Sequence, residues 1–186
     1  MTPVERFTQA IDRFNDRIGS AIQWLALVLV LVGAFNALAR YAARYTSVSL
    51  SSNAYLDLQW YLFSLIFLLG AAYGLKQDYH VRVDVIYSRI GQHSRAWIDL
   101  LGTVFFLIPL SLVMLWVSWP PVLRSWSILE ASSDPGGLPR YPIKTVILVS
   151  FALLLLQAVS QAVKNVAILR RGEASRKEAN GSGGDA

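Results

Sequence analysis

Polar and apolar positions along this chain separate into blocks rather than mixing. Four stretches carry no charge at all: Ile18 to Ala39, Leu58 to Leu75, Leu100 to Leu123 and Thr145 to Val163. They run 22, 18, 24 and 19 residues, and about 20 residues at ~1.5 Å rise cross a hydrocarbon core of about 30 Å. Backbone amides in lipid must be satisfied within the segment, so spans of this length predict helices rather than the shorter, alternating strands of a barrel. The competing reading, buried helices of a soluble protein, calls for apolar stripes set against polar faces. These stretches are apolar all round.

The flanking segments have their own patterns. Thr2, Pro3 and Glu5 stand as N-cap, first helical residue and capping-box partner. Val4, Phe7, Ile11, Phe14 and Ile18 then lay an apolar stripe along a charged helix. This predicts either an interfacial helix leading into span one or a docking helix for a partner. Ala37, Leu38 and Ala39 could form a peptidase site, but the neutral leader and long apolar stretch favour an uncleaved anchor. Ser51, Ser52 or Asn53 can cap the second helix, with Asp57 near its positive dipole end. Pro120, Pro121, Asp134, Pro135, Gly136, Gly137, Pro139 and Pro142 predict a structured loop that interrupts the helix, and Pro109 predicts a kink in span three. Past Arg171 the chain lacks apolar residues to pack, which predicts a flexible tail.

The expected organisation is therefore all-α: an integral membrane protein with a cytoplasmic amphipathic helix over 1–17, a four-helix membrane domain over 18–169 and a cytoplasmic tail over 170–186. The spans are expected at about 18–40, 56–76, 97–119 and 143–165. Composition agrees, since 54% hydrophobic against 16% charged residues is too apolar for an ordinary soluble domain. With four spans, twelve of the 17 Lys and Arg fall on the side of the termini and the 76–95 connection. The positive-inside bias then predicts both termini in the cytoplasm. That asymmetry, with membrane lipid as the partner, accounts for the net charge of +5, and nucleic acid is not expected. Trp60, Trp116, Trp119 and Trp126, with Tyr41, Tyr45, Tyr55 and Tyr141, gather toward the opposite face. They suit an aromatic belt or, around the Pro-rich loop, a protein interface.

Chemistry that would make the chain self-sufficient is missing. An independent carrier needs ionisable groups at membrane depth, where they persist only for function, and the spans hold only Asn36, Ser64, Ser111, Gln157 and Ser160. Isolated polar groups of that kind join helices. His80 and His93 have no second ligand at helical metal spacing, and there is no cysteine and no Gly-rich phosphate loop. No enzyme activity and no cofactor are expected. In the 77–95 connection, Arg82 and Asp84 alternate with valines and share one face of an extended segment.

Three runs occur in order: Tyr55-Leu56-Asp57-Leu58-Gln59-Trp60-Tyr61-Leu62-Phe63, Leu69-Gly70-Ala71-Ala72-Tyr73 and His80-Val81-Arg82-Val83-Asp84-Val85. With Arg95-Ala96-Trp97-Ile98-Asp99-Leu100-Leu101-Gly102, Ser118-Trp119-Pro120 and Asp134-Pro135-Gly136-Gly137-Leu138-Pro139, they resemble the small permease subunit (DctQ-like, Q component) of tripartite ATP-independent periplasmic (TRAP) transporters. The resemblance covers span two through the start of span four. Its wording around Asp57-Leu58-Gln59-Trp60 and Gly136-Gly137-Leu138-Pro139 is similar to a branch associated with 2-oxo acids, mannitol or chloroaromatic compounds.

The resemblance implies a bacterial inner-membrane importer in three parts. A periplasmic solute-binding protein (P component) captures an organic acid or related solute. A large permease subunit (M component) carries solute and sodium in symport, and the small subunit braces it. It further implies Asp57, Trp60, Arg82 and Asp84 as candidate contacts to the large subunit. The loop from Pro120 to Pro142 would lie beneath the binding protein, with Arg124, Trp126, Glu130, Asp134, Arg140 and Lys144 as candidate contacts. The rival readings are a membrane assembly or accessory protein without transport, and an independent four-helix carrier.

Overall fold

The computed structural model describes residues 3–45, 52–77 and 91–181. Helix α1 spans Pro3–Ala42 and α2 spans Asn53–Lys76. A third rod is built from α3 (Gln92–Gly102), a π-helical turn (Thr103–Leu107) and α4 (Ile108–Ser127); α5 spans Tyr141–Gly181. Four of these helical rods are long and apolar enough to cross a membrane. Among the described residues the only β-type pairing is an isolated bridge between Ala131 and Pro139.

Successive rods run antiparallel, and α5 is the shared wall: α1 packs on α2, while α2 and the third rod both pack on α5. The interior is the reverse of a soluble core. Its largest fully buried side chains are Gln157, Asn15, Ser111, Ser125 and Ser160, while Trp24, Trp60, Phe67, Phe105, Phe106 and Trp116 point outward. Helices gain little by hiding apolar surface from lipid, so small and polar groups that allow close approach take the inside. Ser150 Oγ donates to the Leu68 carbonyl across α5 and α2 at 2.5 Å. Gly19 lets α1 meet the Tyr73 ring, where a Cβ would come within 2.5 Å of Tyr73 Cε2. A small apolar cluster of Leu75, Leu154 and Ala158, with Ala71, Leu107, Ile108 and Phe151 packed on it, fills the space between α2, α5 and the third rod.

Three boundaries differ from the sequence expectation. Residues 3–17 and span one form one unbroken helix of 40 residues, Pro3–Ala42. The third rod does not stop at 119 but runs through Pro120 and Pro121 to Ser127. Each proline removes one helical N–H, yet Val122 and Ser125 just beyond them are buried at 4% and 1% exposure, and this packing holds the last two turns in register. The last helix continues to Gly181 rather than ending near Arg170; Glu173, Ala174, Lys177, Glu178 and Ala179 are strong helix formers.

Pro109 acts through the turn before it. The Ile108 N–H reaches back five residues to the Thr103 carbonyl, and this wider turn makes room for a ring that would otherwise meet the carbonyl four residues earlier. Thr103 Oγ1 donates to the Asp99 carbonyl at 2.7 Å and Ser111 Oγ to that of Leu107 at 2.8 Å, closing both edges of the turn.

Candidate functional site

The 128–140 loop is a built object seated on one face of α2. It begins with a helix stop: the Glu130 N–H donates to the Ser125 carbonyl at 3.0 Å and the Leu129 N–H to that of Trp126 at 3.2 Å. This is the Schellman pattern, which needs a left-handed residue after the cap. Glycine usually supplies it, but here Leu129 does, at φ 47°. The loop then folds back on itself. Ser132 N–H donates to the Leu138 carbonyl at 3.1 Å and Arg140 N–H to that of Glu130 at 2.7 Å, with Gly136 at φ 73° in the turn.

Three α2 side chains at four-residue steps receive the loop. Asn53 Nδ2 donates to the Pro135 carbonyl at 3.1 Å. The Leu138 N–H donates to Asp57 Oδ2 at 2.8 Å, and the Tyr61 hydroxyl donates to the Pro139 carbonyl at 2.6 Å. Four-residue spacing stacks them on one face of the helix. Ser52 Oγ accepts the Ala54 N–H and caps α2, so Asp57 is released from any capping duty and serves the loop. A Cβ on Gly137 would strike Asp57 Oδ2 and lie 2.5 Å from Ser132 Cβ, so this backbone approach requires glycine.

The far side of the loop is tied to α5. Glu130 pairs with Lys144 and accepts from Ser125 Oγ at 2.7 Å. The hydrogen bond from Lys144 first, then that from Ser125, holds the Glu130 carboxyl below its ordinary range. Trp126 Nε1 donates to Thr145 Oγ1 at 2.8 Å, and its ring lies 4.5 Å from that of Tyr141. Between loop, α2 and α5 is a cleft of about 440 Å³ lined by Leu56, Asp57, Trp60, Tyr61, Ser64, Asp134, Arg140, Ile143 and Lys144.

Residues from both expected sets therefore meet in one place. Asp57 and Trp60 share the cleft with Asp134, Arg140 and Lys144, and Glu130 is joined to it through Lys144. Trp126 and Arg124 stand outside it on α4, Arg124 exposed. Arg82, Asp84 and His80 lie outside the described residues. Exposed Ile128 and Leu129 at the helix stop have no counterpart in the sequence reading. A solvent-side apolar pair after a helix was the available signal.

A second polar cluster joins α1 and α5 at the opposite end. Asn15 Nδ2 donates to Gln157 Oε1 at 2.6 Å, and Gln157 Nε2 donates to Asp12 Oδ1 at 3.3 Å. Lys164 Nζ donates to Asp12 Oδ2 at 2.5 Å, and Lys76 of α2 pairs with Asp16. Gln157 and Ser111, expected as helix-joining groups, are fully buried, as is Ser160, and Asn36 is 4% exposed.

Neither the curated proteins nor the solved structures contain a match to the chain. The family model for "Tripartite ATP-independent periplasmic transporters, DctQ component" matches residues 29–167, from within α1 to the last third of α5. That family comprises transporter subunits rather than enzymes. With four apolar helical rods and a match over most of its length, this multi-pass chain belongs to the DctQ family of small TRAP-transporter components.

Proposed function

We propose that the chain is the static brace of a TRAP importer, holding the large M component and sharing the docking surface for the periplasmic P component. Sodium-coupled uptake of an organic acid or related solute then runs through the M component. The observation that carries this reading is where the deep polar groups go. Ser111, Ser150 and Gln157 are spent on other backbone or side-chain groups of this same chain, which leaves large apolar side chains outward and no charged pathway among the described spans.

In this reading the chain lies in the bacterial inner membrane with both termini cytoplasmic, and residues 3–17 carry α1 out through the inner interface. Trp60, Phe63 and Phe67 form an exposed stripe on α2, with the two phenyl rings stacked at 6.4 Å; this stripe faces the large subunit. Trp126, tied to α5, and Ile128 and Leu129 at the start of the loop face the binding protein beside Arg124 and Asp134. Co-purification with the large subunit and uptake driven by the cognate binding protein test the assignment together. Uptake lost through Trp60→Ala while the complex and binding-protein docking stay intact would count against a bracing role.

A further inference from the structure

Counted along the sequence, the first 17 residues are electrically neutral, with Arg6, Arg13 and Arg17 against Glu5, Asp12 and Asp16. Folding removes that balance. Asp12 is taken by Lys164 and Asp16 by Lys76, and the polar face of Thr8, Asn15 and Gly19 is buried against the neighbouring helices. The arginines are left on the outward face, and among the described residues no carboxylate lies within ion-pair reach of them.

Arg13, Arg17 and Trp24 follow one another at four- and seven-residue steps, so they share a face. Both arginines are exposed, Trp24 is 71% exposed, and Phe14 beside them is 53% exposed. Tryptophan anchors at the boundary between acyl chains and headgroups. Arg17 lies about 10 Å and Arg13 about 16 Å further along the helix. The Arg13 Nε–H donates to the Gln9 carbonyl at 3.4 Å, an exposed bond that a phosphate would replace; extended toward the boundary, both long side chains reach the phosphates of a headgroup layer roughly 5–8 Å deep. Arg6, about 27 Å from Trp24, stands beyond it.

We infer that Arg13 and Arg17, with Phe14 and Trp24, form a binding site for anionic phospholipid of the cytoplasmic leaflet. The inference rests on the cytoplasmic placement of the N-terminus proposed above. Charge complementarity selects the occupant: two arginines without a carboxylate partner beside exposed aromatic rings suit a phosphodiester with acyl chains, and a zwitterionic headgroup competes less well.

The test uses the full chain with its large subunit, reconstituted in phosphatidylcholine discs with or without phosphatidylglycerol, and reads bound lipid after extraction or by native mass spectrometry. Phosphatidylglycerol should be enriched over phosphatidylcholine. Arg13→Gln and Arg17→Gln should each reduce that enrichment roughly fivefold; the Lys variants should retain most of it, and Arg6→Gln should change it less than twofold. No enrichment, or equal loss from all three positions, overturns the site. A cross-link from Phe14 to the large subunit rather than to lipid overturns it as well. An Ala10→Cys variant of this cysteine-free chain separates the two readings. Labelling from the periplasm refutes the topology itself, whereas cytoplasmic labelling without lipid preference refutes the lipid site alone.

Discussion

The carboxylate of Asp57, one turn into α2, accepts the backbone N–H of Leu138, 81 residues further along the chain, at 2.8 Å. A charged acceptor on a part-buried amide is stronger than a neutral one, and Asp57 is only 9% exposed. Asp57→Ala should therefore free the 128–140 loop and lower the melting temperature of the purified protein, with a loss of about 1–3 kcal/mol. Limited proteolysis within the loop reads the release directly. Gly137→Ala should reproduce it by steric means, because the new methyl needs the space that Asp57 Oδ2 occupies. A proteolysis pattern unchanged in both variants would show that the loop is held elsewhere.

Gln157 links Asn15 and Asp12, and it is fully buried. Gln157→Leu keeps the volume, strands the Asn15 amide and takes one of the bonds to Asp12, so it should destabilise by about 1–3 kcal/mol. The double variant Gln157→Leu/Asn15→Leu should recover part of that loss, since it removes the stranded Asn15 amide while Asp12 keeps its pairing with Lys164. Thermal unfolding of the four species in one detergent gives the cycle.

Gly19→Leu should push α1 from α2, because even a Cβ there comes within 2.5 Å of Tyr73 Cε2. Overpacking at such a contact is worth about 1–3 kcal/mol. The expected readout is a lower melting temperature together with weaker Asp16–Lys76 cross-linking, after both are replaced by cysteine.

Leu129 holds a left-handed conformation that disfavours a side chain by about 1–2 kcal/mol. Leu129→Gly should stabilise the protein or leave its stability unchanged, while weakening binding-protein docking through loss of an apolar contact that is 64% exposed. Stability and docking moving in opposite directions would support a retained functional side chain; docking unchanged would remove Leu129 from the proposed surface.

Glu130 has its carboxyl pKa lowered from an ordinary 4.5, chiefly by the Lys144 hydrogen bond. A lowered folded value means that the unfolded state binds the proton more readily. The contribution is thus fully present above about 4.5 and is lost as pH falls through the depressed value. Melting temperature measured down to acidic pH should fall more steeply for the wild type than for Glu130→Gln. Parallel curves would mean that the pair does not contribute to stability.

Much of the architecture could be read without coordinates, because lipid imposes strong rules on composition. The charge-free runs marked all four rods, Pro3 opened α1, and Ser52 was one of three expected caps for α2. Loop chemistry read less well. Pro120 and Pro121 look like a stop, yet the burial of Val122 and Ser125 carries the helix past them, and tertiary packing routinely overrides local propensity in this way. Asp57 read as a dipole partner, because the amide it serves lies 81 residues away.

The sequence by itself determined that the chain is helical, apolar enough to span a membrane four times, and without an intramembrane charge. Those properties follow from residue type and spacing alone. Only the tertiary structure decided what the polar residues are for. It seats the loop on Asn53, Asp57 and Tyr61, pairs Asp12 and Asp16 with lysines from other helices, and so turns an electrically neutral leader into an exposed basic face. Pairing between distant segments depends on how the rods pack, and no local pattern encodes which carboxylate meets which cation.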